Sequence, residues 1–361
     1  MPSQSYYAFA THVGCTDTNA YGGSSRTIFD CLQAQNTTTL MNASALVSES
    51  GTFGTWGFLP VTDGVFIQNT PSQQLLERKV NGRNMLSGNN AEEGTLFTPQ
   101  NITTEADFID WLHLTFPLFS DDDISRILLF YPGGTNASVT MPGDRFATNG
   151  LTGASALNES ATGTGPLERA ENIYAETTFV CPSYWLAEAY TGNDRSSYKY
   201  QYSVVPATHG QDVSVYFGPH APWVGADMSA AFMCKSNIRT PPPDRKLTIT
   251  AILGNFATTD NPSINNSIAN GGNDSTTVNP ASHWPAFSLA APYQINLNQT
   301  GGHEVTVNGT TTLGIGNLGN ITIYEGPGFK NDITLVNAWT WEQGRGVRCA
   351  FWRSVAAIVP E

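Results

Sequence analysis

The sequence predicts an α/β fold, in which short buried strands alternate with longer helices. Residues 83–88 and 198–205 have the composition of strands, and the first run leads directly into an acidic loop. Between them, residues 104–116, 122–131 and 166–191 have the spacing of apolar side chains that is typical of helices. Such alternation is the pattern of α/β proteins, which place ligand-binding and catalytic groups on loops at strand ends. The residues that follow the two strands are therefore the first candidates for function.

Composition excludes two classes of function. The 361 residues are 40% hydrophobic, enough for a substantial core, but only 13% charged, with a net charge of −13. There is no cluster of Lys and Arg of the kind that neutralises phosphates, so the sequence argues against a nucleic-acid partner. No apolar run approaches the roughly 18–20 residues that a membrane-spanning helix needs.

Glycosylation motifs indicate an extracellular protein. Ten Asn-x-Ser/Thr triplets occur, a density that favours the secretory route. Residues 1–7 nevertheless lack the basic and apolar regions of a signal peptide. The simplest expectation is that the natural N-terminus lies upstream of Met1. The triplets begin at Asn36, Asn42, Asn101, Asn136, Asn158, Asn265, Asn273, Asn298, Asn308 and Asn320.

Several local patterns predict individual elements. Asp63-Gly64 between two β-rich runs predicts a hairpin within residues 56–68. Ser120 before three aspartates, residues 121–123, predicts a capped helix start; a calcium site is the alternative, although the spaced ligands of a calcium loop are missing. Residues 293–325 predict short β segments, and residues 347–357 a helix with its aromatic side chains turned inward.

Two short motifs carry the candidate chemistry. Residues 88–94 read Gly-Asn-Asn-Ala-Glu-Glu-Gly after the first strand, and residues 208–210 read Thr-His-Gly after the second. A carboxylate that orients an imidazole is the acid and base part of an acyl-transfer triad. Each motif is weak on its own, because most glutamates are solvated and a lone histidine is usually structural. The acid also precedes the histidine, as in the chain order Ser, acid, His of α/β hydrolases.

Together with the surrounding sequence, these motifs resemble the type-B carboxylesterase/lipase family of fungal lipases, carboxylesterases and cholinesterases. The resemblance extends over nearly the whole chain, including Asp63-Gly64 upstream and the Cys-Ala-Phe-Trp segment that starts at Cys349. It implies an α/β-hydrolase fold and a small-molecule or lipid carboxylic ester as substrate, with no cofactor. It also assigns the acid to Glu93 rather than Glu92, and the base to His209 rather than its rival His220.

The nucleophile of this triad is missing from the sequence. The elbow motif Gly-x-Ser-x-Gly does not occur, and the segments around Ser50 and Ser155 lack its glycines and its position in the chain. The sequence therefore predicts that residues 1–361 are the C-terminal part of a single carboxylesterase domain. In this fragment the first strands, the oxyanion loop and the elbow are absent, and we expect it to be inactive alone.

The resemblance also implies two disulfides, Cys15–Cys31 and Cys181–Cys349; reduced, buried thiols are the alternative. The fifth cysteine, Cys234, lies in residues 233–250, which interrupt a helix of the family and contain three consecutive prolines. A retained intron read in frame explains this segment, and an ordinary surface insertion is the alternative.

Two other functions compete with ester hydrolysis. The first is a non-catalytic binding or adhesion protein on the same fold, since the family contains such proteins; the intact acid and base argue against it. The second is a structural, acidic glycoprotein, which the paired motifs disfavour. The four histidines outside the two motif regions lack partners at metal-ligand spacing, so no metal site is expected.

Overall fold

The structure is a computed structural model that describes residues 2–16, 27–132, 163–217, 222–232, 252–271, 274–313 and 318–359. It comprises two compact units, Met1–Thr70 and Pro71–Glu361. The segment 233–250 lies outside the described residues, as do Cys234, His220 and Ser155. The interpretation of that segment as a retained intron therefore stays a prediction.

The first unit is helical. Helix α1 (Pro2–His12), helix α2 (Ile28–Gln33) and helix α3 (Thr37–Glu49) enclose a small core. Thr27 caps α2 in a reciprocal capping box with Asp30, as a Thr with an acidic residue three positions later predicts. The Cys15–Cys31 disulfide links the two segments on either side of residues 17–26.

The predicted hairpin at residues 56–68 is wrong, because none of these residues forms a strand. The Asp63 carboxylate instead accepts hydrogen bonds from the backbone N–H groups of Val65, Phe66 and Ile67, at 2.8 to 2.9 Å. These hydrogen bonds also lower the pKa of Asp63. An aspartate that collects three consecutive backbone donors builds a compact turn, and the donors are then unavailable to a strand ladder.

The second unit contains a four-stranded sheet. Strands β1 (Asn84–Asn90), β2 (Ser196–Tyr202) and β3 (Tyr293–Thr300) are parallel neighbours in that order. A separate antiparallel ribbon is formed by β4 (His303–Asn308) and β5 (Asn320–Glu325). Strand β6 (Lys330–Asn337) then pairs antiparallel with β3 at the sheet edge. The predicted α/β class is thus confirmed, whereas β6 lies outside the predicted β segments.

Helices connect the parallel strands on both sides of the sheet. Helix α4 (Pro71–Leu76) precedes β1. In the described residues between β1 and β2 the chain forms a 3₁₀ turn (Thr95–Phe97), α5 (Glu105–Thr115), α6 (Asp121–Phe130), α7 (Pro166–Ala175) and α8 (Cys181–Ala189). A π-helical turn, Glu176–Val180, joins α7 to α8. Ser120 forms a capping box with Asp123 at the start of α6, so the capping interpretation of the aspartates is confirmed.

The remaining helices of the described residues follow β2, β4 and β6. Those between β2 and β3 are α9 (Val213–Phe217), α10 (Ala226–Phe232), α11 (Ile252–Thr259), α12 (Asn266–Ala269) and a 3₁₀ turn (Pro280–His283). Helix α13 (Gly309–Leu313) lies between β4 and β5. The chain ends with α14 (Trp341–Val355) and a 3₁₀ turn (Ala356–Ile358). The Cys181–Cys349 disulfide ties α8 to α14.

The two faces of the sheet are buried in different ways. On one face, Tyr200 and Tyr202 of β2 pack edge-to-face against Phe232 of α10 in an apolar cluster. On the other, Lys199 and Gln201 of β2 are fully buried among polar groups. Because both faces are covered, β2 does not alternate between buried and exposed residues, as expected of parallel strands.

Buried charges hold the helices over the polar face. Glu176, in the π-helical turn, is fully buried and accepts hydrogen bonds from Tyr131 and from the guanidinium groups of Arg345 and Arg348. Burial alone would raise the pKa of Glu176, but the two arginines hold it below its ordinary value. The Glu176 carboxylate therefore connects the π-helical turn to α14 through charged hydrogen bonds.

We expect Glu176→Gln to lower the free energy of unfolding by about 3 kcal/mol, because it removes the buried carboxylate that pairs with the guanidinium groups of both Arg345 and Arg348. Urea denaturation measures this directly. Glu77→Gln, which removes the exposed ion pair with Lys79, is the matched control and should change stability little. Equal urea midpoints for the Glu176 variant and the parent chain would show that the buried carboxylate does not stabilise the fold.

Candidate active site

The acid loop is a continuation of β1. Ala91 donates its N–H to the carbonyl of Tyr202, and Glu92 donates to the carbonyl of Ala207, so the chain stays beside the end of β2. At Gly94 the backbone passes so close to α7 that a Cβ atom would lie 1.9 Å from the carbonyl oxygen of Glu171. Only glycine fits there, which explains why Glu93 is followed by a residue without a side chain.

The base loop follows β2. Glu92 and Thr208 form an isolated parallel bridge, so both loops leave the sheet side by side. Ala207 and Gly210 have positive φ values of 49° and 80°, and they turn the chain on either side of His209. The backbone N–H of Thr208 donates a hydrogen bond to Oε1 of Gln211 at 3.1 Å.

Glu93 and His209 meet between the two loops. The Nδ1 atom of His209 lies 2.6 Å from Oε2 of Glu93, across 116 residues of sequence. The second carboxylate oxygen, Oε1, accepts the N–H of Asn90 at 2.6 Å. The Glu93 side chain is only 7% exposed, whereas that of His209 is 39% exposed. The pair therefore has a buried acid and a base that remains open to solvent on one side.

The electrostatics suit a proton acceptor. The hydrogen bond that His209 donates to Glu93 raises the pKa of His209 above its ordinary value of 6.5. Burial opposes this rise, and the charges of Glu93 and Asp212 add to it. A carboxylate on Nδ1 fixes the proton on that atom and leaves Nε2 with its lone pair. Among the described residues, Nε2 makes no hydrogen bond, so it is free to take a proton from a nucleophile or substrate.

Aromatic rings fix the plane of the imidazole. Phe179 lies 4.4 Å from the centre of the His209 ring, and Phe97 contacts it edge-on at 5.1 Å. Phe97 in turn stacks on Tyr174 of α7 at 5.4 Å. These rings restrict rotation of the histidine. The two motifs do not point to them, because they lie in the helical crossover between β1 and β2.

The structure thus brings together Glu93 and His209, on the loops at the carboxyl ends of adjacent parallel strands. Of the two serines considered as a nucleophile, the structure describes only Ser50, which lies in the first unit, where its hydroxyl donates to the carbonyl of Val47. Within the described ranges no group of three or more His, Cys, Asp or Glu side chains could hold a metal ion. In the same residues no helix combines the length and the apolar character that crossing a membrane requires.

Comparison with known proteins identifies the family. Residues 2–310 match the family model described as "Carboxylesterase family". The chain belongs to the carboxylesterase family. The sequence-based assignment to type-B carboxylesterases and lipases is confirmed at this level.

Curated relatives of this carboxylesterase chain are fungal. It is 30% identical over 179 residues to the carboxylesterase patB of Penicillium expansum, covering 49% of this chain and 28% of that protein. It is 25% identical over 240 residues to a secreted lipase of Arthroderma benhamiae, covering 65% of this chain and 38% of that protein. A third relative, the inactive carboxylesterase-like protein VdtD of Byssochlamys spectabilis, is 24% identical over 188 residues, covering 51% of this chain and 30% of that protein. The chain thus spans less than two fifths of the length of each.

A solved structure has the same fold. The structure of Aspergillus niger EstA superposes with a TM-score of 0.55 at 17% identity, and the match covers 99% of this chain and 55% of EstA. At this level of identity the likeness speaks for the fold alone. The carboxylesterase chain therefore has the α/β-hydrolase fold that its motifs implied.

Proposed function

We propose that this carboxylesterase chain provides the acid and the base of a carboxylic ester hydrolase, with Glu93 as the acid and His209 as the base. The observation that supports this most strongly is the 2.6 Å hydrogen bond between them at the ends of adjacent parallel strands. In α/β hydrolases, catalytic groups stand on loops at this edge of the sheet.

In the proposed reaction, a serine hydroxyl attacks the ester carbonyl carbon while Nε2 of His209 takes the hydroxyl proton. The Glu93 carboxylate stabilises the imidazolium that forms and keeps its proton on Nδ1. The imidazolium then protonates the oxygen of the departing alcohol, which leaves an acyl-serine. Water, deprotonated by the same Nε2, releases the carboxylic acid and regenerates the serine.

The serine of this proposal lies outside residues 1–361, because the sequence contains no Gly-x-Ser-x-Gly elbow. Residues 1–361 would then be part of one carboxylesterase domain and inactive on their own. The substrate class is a neutral carboxylic ester, either a small molecule or a lipid. Two disulfides and the Asn-x-Ser/Thr triplets support an extracellular location.

A second candidate is a non-catalytic protein on the same fold. The similarity to VdtD, which is named as inactive, favours this candidate. The intact hydrogen bond between Glu93 and His209 argues against it, since a protein without a nucleophile has no catalytic use for the pair. The two candidates differ in whether the protein that contains the missing part of the domain hydrolyses esters.

An ester hydrolysis assay tests the first candidate. Purified residues 1–361 and their His209→Ala variant are each incubated with p-nitrophenyl butyrate, and we expect release of p-nitrophenol at the background rate from both. Hydrolysis by the parent chain that disappears in His209→Ala would contradict the proposal, because it would mean that a nucleophile lies within residues 1–361. A longer protein that includes the elbow should hydrolyse the ester, and an inert longer protein would favour the second candidate.

A further inference from the structure

Asn90, the last residue of β1, makes contacts to both loops of the site. It is 2% exposed, and its backbone N–H donates to Oε1 of Glu93 at 2.6 Å. Its side-chain nitrogen Nδ2 donates to the carbonyl oxygen of Thr208 at 3.0 Å and to Oδ1 of Asp212 at 3.1 Å. One residue therefore holds the carboxylate of the acid and the backbone beside the base.

The orientation of the Asn90 amide follows from its neighbours. The carbonyl oxygen of Thr208 and the carboxylate oxygen of Asp212 both act as hydrogen-bond acceptors here. Only the NH₂ group of Asn90 can face both, and it uses its two hydrogens to do so. An aspartate or an aliphatic residue at this position could not replace either bond.

The other carboxylate oxygen of Asp212, Oδ2, also accepts a hydrogen bond. Tyr216 donates its hydroxyl proton to Oδ2 of Asp212 at 2.6 Å, and its oxygen lies 2.6 Å from the hydroxyl of Tyr200. Since the Tyr216 proton is directed to Asp212, Tyr200 is the donor in the second bond. The Tyr200 ring lies across β1 at Gly88, where a Cβ atom would come within 2.2 Å of it. The hydrogen-bond chain thus runs from the base loop back to the sheet.

We propose that Asn90 is a positioning residue that clamps the acid loop to the base loop, with Asp212 as the anchor on the base side. The inference rests on the proposed function of the Glu93–His209 pair, and it adds the groups that hold the pair together. The base loop has no regular secondary structure between the end of β2 and α9, and two of its residues have positive φ. Without the clamp, the two loops would still be joined by the hydrogen bond from Glu92 to Ala207 and by the contact of His209 with Glu93, but Thr208 and Asp212 would lose their hydrogen bonds to Asn90.

The test is a pH titration of the His209 side chain by NMR in the full 361-residue chain. Glu93 and Asp212 are the charged groups that raise its pKa, with the Glu93 hydrogen bond the largest contribution. Asn90→Leu keeps the approximate size of the side chain and removes both donors. We expect the pKa of His209 to fall toward 6.5 and its Nδ1 proton to exchange faster with water, because the hydrogen bond to Glu93 is formed for less of the time.

Asn279→Leu is the matched control. Asn279 is also buried, and its side chain makes two hydrogen bonds, to the N–H of Ala281 and to Asn270, both outside the two loops. The same substitution there should destabilise the chain in a similar way and leave the His209 titration unchanged. A His209 pKa in Asn90→Leu equal to that of the parent chain would overturn the inference.

A second pair of variants covers the case in which Asn90→Leu does not fold. Asp212→Asn removes the charge but keeps an oxygen that can accept from Asn90, whereas Asp212→Ala removes both. The clamp predicts a lower His209 pKa in Asp212→Ala than in Asp212→Asn, and equal values would overturn it. Glu93→Gln separates the two proposals: if it leaves the His209 pKa unchanged, the Glu93–His209 pair itself is wrong, whereas if it alone lowers the pKa, only the role of Asn90 is wrong.

Discussion

Removing the Cys181–Cys349 disulfide by a double substitution to alanine is expected to unfold the second unit at moderate temperature. The bond closes a loop of 168 residues, the longest covalent link in the described part of the chain. In the chain-entropy model a loop of this size stabilises the folded state by about 5 kcal/mol, which is comparable to the whole stability of many domains. The free energy of unfolding, measured by urea denaturation under non-reducing conditions, gives the loss.

Removal of the Cys15–Cys31 disulfide provides a comparison within the same chain. This disulfide closes only 16 residues and lies in the first unit, so its removal should cost about 3 kcal/mol and leave the second unit folded. Near-ultraviolet circular dichroism follows the loss, because the second unit contains the large buried aromatic cluster around Trp352. Equal losses for the two double variants would contradict the loop-length argument.

His209→Ala is expected to reduce kcat by about 10⁶ in a protein that contains both this chain and the proposed serine elbow. In the proposed reaction the imidazole takes the serine proton, so its removal would disable the nucleophile as fully as removal of the serine itself. Initial rates with p-nitrophenyl butyrate measure the effect. In the parent protein, the rate should rise with pH through the pKa of His209, which Glu93 holds above 6.5.

His303→Ala is the matched control for that experiment. His303 is the exposed first residue of β4, on the separate two-stranded ribbon, and has no part in the proposed reaction. Its substitution should leave kcat unchanged. A His209→Ala variant that retained more than a small fraction of the parent rate would show that another group acts as the base.

The sequence allowed the site to be placed because its two motifs sit where strands end. The order of acid and base and the parallel pairing of β1 with β2 follow from local patterns and from family resemblance. Gly94 is part of the same pattern, because the close approach of Glu171 permits no side chain there. Long-range pairs such as Cys181 and Cys349 could be proposed only from the resemblance, since periodicity alone does not specify which cysteines meet.

The features that the sequence did not predict depend on packing between distant segments. Phe179 reaches His209 from the helical crossover, and Glu176 meets two arginines about 170 residues later. Residues 198–205 suit a buried strand, but their polar side chains did not reveal which helices and charged groups cover that face of β2. The predicted hairpin failed for a local reason, because the Asp63 carboxylate competes successfully for backbone donors.

The proposed role of His209 depends most on Glu93 being the carboxylate that orients the imidazole and raises its pKa. The most direct test is the NMR pH titration of His209 in the parent chain, in Glu93→Gln and in Glu92→Gln, whose glutamate is the neighbouring alternative. We predict a pKa above 6.5 in the parent chain, a fall to 6.5 or below in Glu93→Gln, and the parent value in Glu92→Gln. A fall in Glu92→Gln with no change in Glu93→Gln would contradict the assignment of the acid and the catalytic role built on it.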